Sequence, residues 1–429
     1  MRPRASHQRG RLASPTRERL APAEPATRKH RPDYWLLAIC ALLLAVGLIV
    51  VFAISPALSE SSNVSNNYYV NKQLLAIGLS IVAFLVCSRI PTGRWRDFSK
   101  PLLVVAVIAT LLALIMPVNP HYPAHRWVRL GSFSFQSVEL LKFAVMVWLA
   151  GLLSARMAAG NINDFNKTLK PLLIALALIG GVVAGVQSDL GSTGVMLMMM
   201  GAMAFVAGFP IKKVLLFGGI VVIVASLAIV STPYRRERLE TFLHPAANCQ
   251  DAGYQACQAM IAVGSGGMVG LGLGSSVQAY GYLPEAANDS IFAIYAEKFG
   301  FIGSILLLIV FGALFARIAS VAERAPDNFS RLLVVGILSW FSVQALINIG
   351  AMIGLLPLKG ITLPFISYGG TSVVFAAAAI GIVFQISHYT NLGAPRVRSK
   401  NDRRDHDDSS HGRRIRGAYH PDLSGRSRA

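Results

Sequence analysis

Residues 34–54 read YWLLAICALLLAVGLIVVFAI, an apolar run with no charged residue. About 20 such residues in a helix match the ~30 Å hydrocarbon core of a bilayer. Working outward from this run, nine more of similar character follow, at about 70–88, 101–117, 138–155, 170–187, 190–208, 213–231, 290–317, 331–356 and 368–389. In lipid every backbone polar group must be satisfied internally, so only helices or closed barrels cross, and runs of this length specify helices. The expected fold is an all-α polytopic membrane protein of about ten transmembrane helices. The shortest connection, Gln187-Ser188-Asp189, separates runs five and six. Composition agrees: 54% of the 429 residues are hydrophobic and 14% charged, against roughly 25% charged in soluble domains.

The net charge of +19 raises nucleic acid as a partner, and its distribution argues against it. If ten helices alternate, 31 of the 40 Lys and Arg residues fall on one side: both tails and the loops around Arg89–Lys100, Arg156–Lys170, Lys212–Lys213 and Arg317–Arg331. The positive-inside rule assigns that side to the cytoplasm, with both termini. Residues 1–32 and 391–429 then read as disordered basic cytoplasmic tails near anionic lipid, flanking a membrane unit at 33–390. The first apolar run follows about thirty polar residues and reads as a retained helix, not a cleaved signal.

The largest outside loop runs from Ser231 to Asp289, between helices seven and eight. A structureless loop of that length is uncommon in a compact protein. Short helices are expected at Arg235–Leu243 and Tyr254–Val263, and six glycines in Gly264–Gly274 mark a backbone turn. Cys249 and Cys257 share this loop, where an oxidising compartment permits a disulfide.

Ionisable groups against a membrane are costly and mark functional-site candidates. Asp289, in GYLPEAANDSIFA (281–293), stands at the lip of the eighth span with Glu285 four residues before it. It reads either as a helix cap or as a general base, since partial desolvation favours a carboxylate that accepts a proton. Glu139 and Lys142, spaced i, i+3, share a helix face and read either as a packing ion pair or as a cationic lining for an anionic ligand. Asp189 begins the sixth span, where a cap is favoured. Arg126, Arg129, Arg235, Arg236, Arg238 and Lys359 lie outside against the positive-inside trend, and guanidinium forks suit phosphate or pyrophosphate. The stretch PLKGITLPFISYGGTS (357–372) is broken backbone at or near membrane depth, which survives only where it is buried in protein or lines a cavity.

At these residues the chain resembles the SEDS family (shape, elongation, division and sporulation), from about the first span to the tenth. The most specific match is KGITLPFISYGGTS from Lys359; others are Arg126-Trp127, Phe135-Gln136 with Glu139 and Lys142, Asp189-Leu190-Gly191, and Tyr282-Leu-Pro-Glu-Ala through Asp289. The pattern is closer to the family's division member than to its elongation member. Three residues depart from it beside Asp289: Ala287 and Asn288 stand for His-Thr, and Ser290 for Phe.

The resemblance implies a peptidoglycan glycosyltransferase that polymerises lipid II at the outer face of the bacterial cytoplasmic membrane, at the division septum. Asp289 would be the catalytic residue. Arg126, Glu139, Lys142, Asp189, Arg235, Arg236, Arg238, Glu285, Lys359 and Ser367 would form the substrate-binding set. Undecaprenyl pyrophosphate would be the leaving group, and a divalent cation (Mg or Mn) a conceivable aid for which no ligand set stands out. A class B penicillin-binding transpeptidase and other division proteins would be partners. A lipid II flippase or transporter, an elongation-type polymerase and a catalytically idle scaffold are the alternative readings.

Overall fold

The computed structural model describes residues 27–29, 31–116, 127–130, 133–230, 249–250 and 253–391, together with 236, 240, 242 and 243. The basic tails expected at 1–32 and 391–429 lie almost wholly outside them. A helix covers each of the ten apolar runs: α1 (Tyr34–Ser61), α2 (Tyr68–Arg89), α3 (Thr92–Ile115), α4 (Ser137–Ala158), α5 (Phe165–Val186), α6 (Leu190–Val206), α7 (Ile211–Val230), α9 (Ile291–Arg324), α10 (Asn328–Met352) and α11 (Gly370–Ile386), with the short α8 (Tyr254–Ser265) before α9. Among the described residues seven of these are long and apolar enough to cross a membrane, and α6 and α11 are shorter apolar helices. The chain is a helical multi-pass membrane protein.

Two departures are local. The connection between α3 and α4 contains an antiparallel hairpin of β2 (Trp127–Leu130) and β3 (Phe133–Gln136), with Trp127 opposite Gln136, in a chain expected to be all-α. Strand β1 (Thr27–Lys29) pairs with β4 (Tyr389–Asn391), so ordered backbone extends across the expected boundaries at 32 and 390. The short helix expected at 254–263 is present as α8, and Cys257 on it is disulfide-bonded to Cys249. Of the one expected at 235–243, only Arg236, Glu240, Phe242 and Leu243 are described.

Burial ranks the helices. In α4 and α10, 72% and 61% of the spanning window is buried, against 17–33% in the other five spans that qualify. These two and α11, most of whose residues are buried, form the centre, and the other five qualifying spans turn one face to lipid. α10 packs on α4, α6 and α9, while α2 lies along α11. At the end where α1 begins, the Asp33 side chain caps the helix by accepting from Trp35 N and also accepts from Arg317 on α9 at 2.8 Å. The Asp33 amide donates to Ser387 just past α11, so one residue ties three helices together.

Runs five and six divide where Ser188 takes φ of 58°. The last turns of α5, Ile179–Val186, are wound as π-helix, a form that clusters near functional sites. α9 is longer than its apolar run and breaks at Gly300, where φ is 66°.

Candidate functional site

The site is built where the turn before α9 meets the broken segment 357–369. Pro284 and Glu285, which has φ of 52°, start a turn in which Asn288 N and Ser290 N both donate to the Glu285 carbonyl. The Glu285 carboxylate accepts from the Asn288 amide. Ser290 Oγ donates to the Pro284 carbonyl at 2.9 Å and accepts from Gln255 Nε2 of α8 at 3.1 Å. Two of the three residues that depart from the family pattern beside Asp289 therefore make bonds inside its turn. Asp289 sits half-buried at the end of that turn.

Three consecutive carbonyls of this turn are gripped from outside it. Tyr368 N donates to Ala287 O at 2.8 Å, Ser367 Oγ to Asn288 O at 2.6 Å, and Asn348 Nδ2 to Asp289 O at 2.7 Å. Asn348 Nδ2 also reaches Ile361 O at 2.7 Å, and Leu363 N donates to Ser367 Oγ. One buried amide on α10 thus joins the Asp289 turn to the segment carrying Lys359. Lys359 is half-buried. A Cβ on Gly191 would lie 2.7 Å from Ile361 Cγ1 and 3.2 Å from Lys359 Cβ, so the start of α6 abuts Lys359 only because glycine stands there.

Beneath this surface lies a polar column. Lys142 Nζ donates to Glu139 at 2.7 Å and to Gln344 Oε1 at 2.9 Å, and stands 5.2 Å from the Trp340 ring centroid. Trp340 Nε1 donates to the same Gln344 oxygen, and Gln344 Nε2 donates to Thr362 O at 2.9 Å. Thr362 Oγ1 meets Ser372 Oγ at the start of α11. The β2–β3 hairpin joins in beside the start of α4, since Gln136 N donates to Thr371 Oγ1 at 3.3 Å. A buried ion pair survives in an apolar interior only with such additional hydrogen bonds.

The expected site residues divide accordingly. Asp289, Glu285 and Lys359, all half-buried, lie on the two segments that Asn348 joins, and the buried Ser367 side chain ties those segments together. Glu139 and Lys142 are present but fully buried; they support the 357–369 segment from below through Gln344. Asp189 is also buried, and its two carboxylate oxygens accept from Ser192 N and Ser192 Oγ, both at 2.9 Å, capping α6. Arg236 pairs with Glu240 at 2.9 Å on an exposed helical turn. Arg126, Arg235 and Arg238 lie outside the described residues, and only the backbone of Arg129 is described. Among the described residues no group of three or more His, Cys, Asp or Glu stands close enough to hold a metal ion.

Sequence reading missed Gln344 and Asn348. They were found among apolar residues in a span and carry no charge, so a search for ionisable groups passes over them. The signal is their i, i+4 spacing on the most enclosed stretch of a membrane helix, where uncharged amides also need partners.

Residues 34–392 match the family of FtsW, RodA and SpoVE, described as "Cell cycle protein". The chain is 36% identical over 365 residues to stage V sporulation protein E of Bacillus subtilis, covering 85% of this chain and 99% of that one. It is 37% identical over 362 residues to the probable peptidoglycan glycosyltransferase FtsW of Saccharophagus degradans, covering 83% and 93%. Among solved structures, one of a peptidoglycan synthase complex coordinating polymerization and crosslinking matches with TM-score 0.67 and 24% identity over 83% of this chain and 97% of that one. The rod shape determining protein RodA of Thermus thermophilus matches with TM-score 0.61 and 23% identity over 83% and 96%. At those identities the structures speak to the fold, which they share with this chain. The sequence relatives carry the assignment: the chain belongs to the SEDS family of cell cycle proteins, and within it is most like FtsW.

Proposed function

We propose that the protein is an inverting peptidoglycan glycosyltransferase that polymerises lipid II at the outer face of the cytoplasmic membrane during division. The observation that carries this reading is the grip of Ser367, Tyr368 and Asn348 on the Asp289 turn, which holds a half-buried carboxylate in fixed relation to the segment of Lys359. A general base needs such placement before its proton affinity matters.

Asp289 takes the proton from the acceptor sugar 4-hydroxyl as that oxygen attacks the donor's anomeric carbon. The bond from that carbon to the pyrophosphate oxygen breaks on the opposite face, and undecaprenyl pyrophosphate departs with both electrons. Lys359, with Arg126 and one of Arg235, Arg236 and Arg238, stabilises the charge that develops on the leaving group. Lys142, Glu139 and Asp189 act by holding backbone in place.

Ten alternating helices put both termini in the cytoplasm and the Asp289 turn outside. A class B penicillin-binding transpeptidase is the partner proposed for the outside loops, and the division septum the site of action.

The test is polymerisation of labelled lipid II by the purified protein, with and without its cognate transpeptidase, beside Asp289→Asn. Polymer from the parent and none from the folded variant supports the reading. Polymer retained in Asp289→Asn sinks the role of Asp289. Lipid translocation without polymer from the parent favours a flippase.

A further inference from the structure

The break in α9 at Gly300 opens the helix's own hydrogen-bond ladder, and a second segment fills the opening. In an unbroken helix Phe301 N would bond Glu297 O, and Ile302 N would bond Lys298 O. Instead Phe301 N donates to Gly267 O at 2.9 Å and Ile302 N to Met268 O at 3.1 Å. The two released acceptors are taken by the same segment: Leu271 N donates to Glu297 O at 2.9 Å and Gly272 N to Lys298 O at 3.0 Å. Residues 266–274 are spliced into the helix.

The charges at this level serve the splice. Glu297 and Lys298 are buried side chains within an apolar helix. Lys298 Nζ donates to Leu273 O at 2.6 Å. The Glu297 carboxylate accepts from Ser276 Oγ and from the amides of Val277 at 3.0 Å and Gln278 at 3.2 Å. Close approach is obligatory: a Cβ on Gly270 or on Gly266 would stand 2.1 Å from the carbonyl oxygens of Lys298 and Ala296 respectively.

The outward side of the splice is apolar. Gly266–Gly274 reads GGMVGLGLG, with no polar side chain. Val269 is 77% and Met268 63% exposed, with Leu271 and Leu273 exposed beside them. Phe301 and Ile302, the residues that receive the splice, are themselves exposed and begin the outward face of α9 that continues through Leu306 and Ile309. That face is the lipid-facing side of a membrane helix, and the apolar face of the splice continues it. Phe301 lies ten residues past the start of α9, which is roughly 15 Å at about 1.5 Å per residue. Irregular backbone at such depth is tolerated in lipid only when its polar groups are satisfied by protein; the ladder exchange pairs Gly267 O, Met268 O, Leu271 N and Gly272 N, and Lys298 Nζ takes Leu273 O.

We propose that residues 266–274 form a re-entrant insert whose Met268, Val269, Leu271 and Leu273 side chains contact the acyl chains of the leaflet nearest Asp289. Glu297 and Lys298 hold it there. Only the naming of that leaflet as the outer one rests on the topology proposed above.

The test uses full-length protein in phosphatidylcholine–phosphatidylglycerol vesicles, with a nitroxide on Val269→Cys and, separately, on Tyr280→Cys. The unsubstituted protein, whose free Cys40 and Cys87 are buried, gives the background. Collision with oxygen, which concentrates in hydrocarbon, is compared with collision with a water-soluble nickel complex. Oxygen is expected to dominate at position 269 and nickel at 280. Nickel dominating at 269 overturns the proposal. Exclusion of both probes at 269 also overturns it, because protein then covers the segment. Should Val269→Cys fail to fold, Leu273→Cys reads the same face. Accessibility does not depend on turnover, so inactivity of these samples towards lipid II would strike the proposed reaction and leave this result standing.

Discussion

Replacing Asn348 by leucine isolates the joint between the two halves of the site. The side chain is buried, and its Nδ2 serves both Asp289 O and Ile361 O at 2.7 Å. Leucine fills much the same volume and removes the donor. Two carbonyls lose a partner, each at about 1–2 kcal/mol for a stranded buried acceptor, offset by about 1 kcal/mol because the Asn348 oxygen, which has no hydrogen-bond partner among the described residues, goes too. The net destabilisation is about 1–3 kcal/mol, leaving the fold intact. Its effect on rate is larger in kind. With Asp289 O released, the clasp on the turn's carbonyls is reduced to Ser367 and Tyr368, beside the Gln255 bond to Ser290, and a displacement of about 1 Å at a catalytic group costs roughly 100-fold. Glycan polymerisation by purified Asn348→Leu should therefore fall by about two orders of magnitude in kcat with KM little changed, because no proposed ligand contact is removed. Wild-type kcat in a protein that shows the expected loss in melting temperature would refute the idea that Asn348 sets the position of Asp289.

Other outcomes follow from the same geometry. Lys142→Met leaves Glu139 buried without its cation and should destabilise by about 3–5 kcal/mol, whereas adding Glu139→Gln recovers most of the loss; thermal unfolding of the two variants in detergent decides it. Gly270→Ala drives a methyl against the Lys298 carbonyl at a residue with φ of 85°, so folded yield by size-exclusion chromatography should collapse, while Gly272→Ala, which meets nothing within 4 Å though its φ is also positive, should be milder. Ser290→Ala removes the bonds to Pro284 O and Gln255 and should lower lipid II polymerisation several-fold, with Gln255→Ala, which breaks only the second, giving a smaller loss.

Much of this fold was legible because bilayer thickness acts on composition: runs of about 20 apolar residues have one backbone solution, and each of the ten became a helix. Asp289 was legible for a related reason, since a carboxylate beside a membrane segment stands out from its neighbours. The positions of its partners were not. Ser367 was read from a motif, yet its task is to hold the Asn288 carbonyl 79 residues away, and no local pattern records such a pairing. Glu139–Lys142 was recognised as a pair, but whether it faced a ligand or the interior depended on Gln344 and Trp340, brought in by packing of α10 on α4. The splice at Gly300 was visible only as an excess of glycine; which helix it entered was a tertiary fact.

The three bonds that clasp the Asp289 turn all end on carbonyl oxygens of residues 287, 288 and 289, an atom every amino acid supplies. Such a clasp is blind to side-chain identity. It reads the path of the chain and leaves the letters of residues 287 and 288 free to drift, provided the turn keeps its shape. A lineage can therefore rewrite the neighbourhood of the carboxylate proposed as the base, as Ala287 and Asn288 do here, without first loosening the hold on that carboxylate.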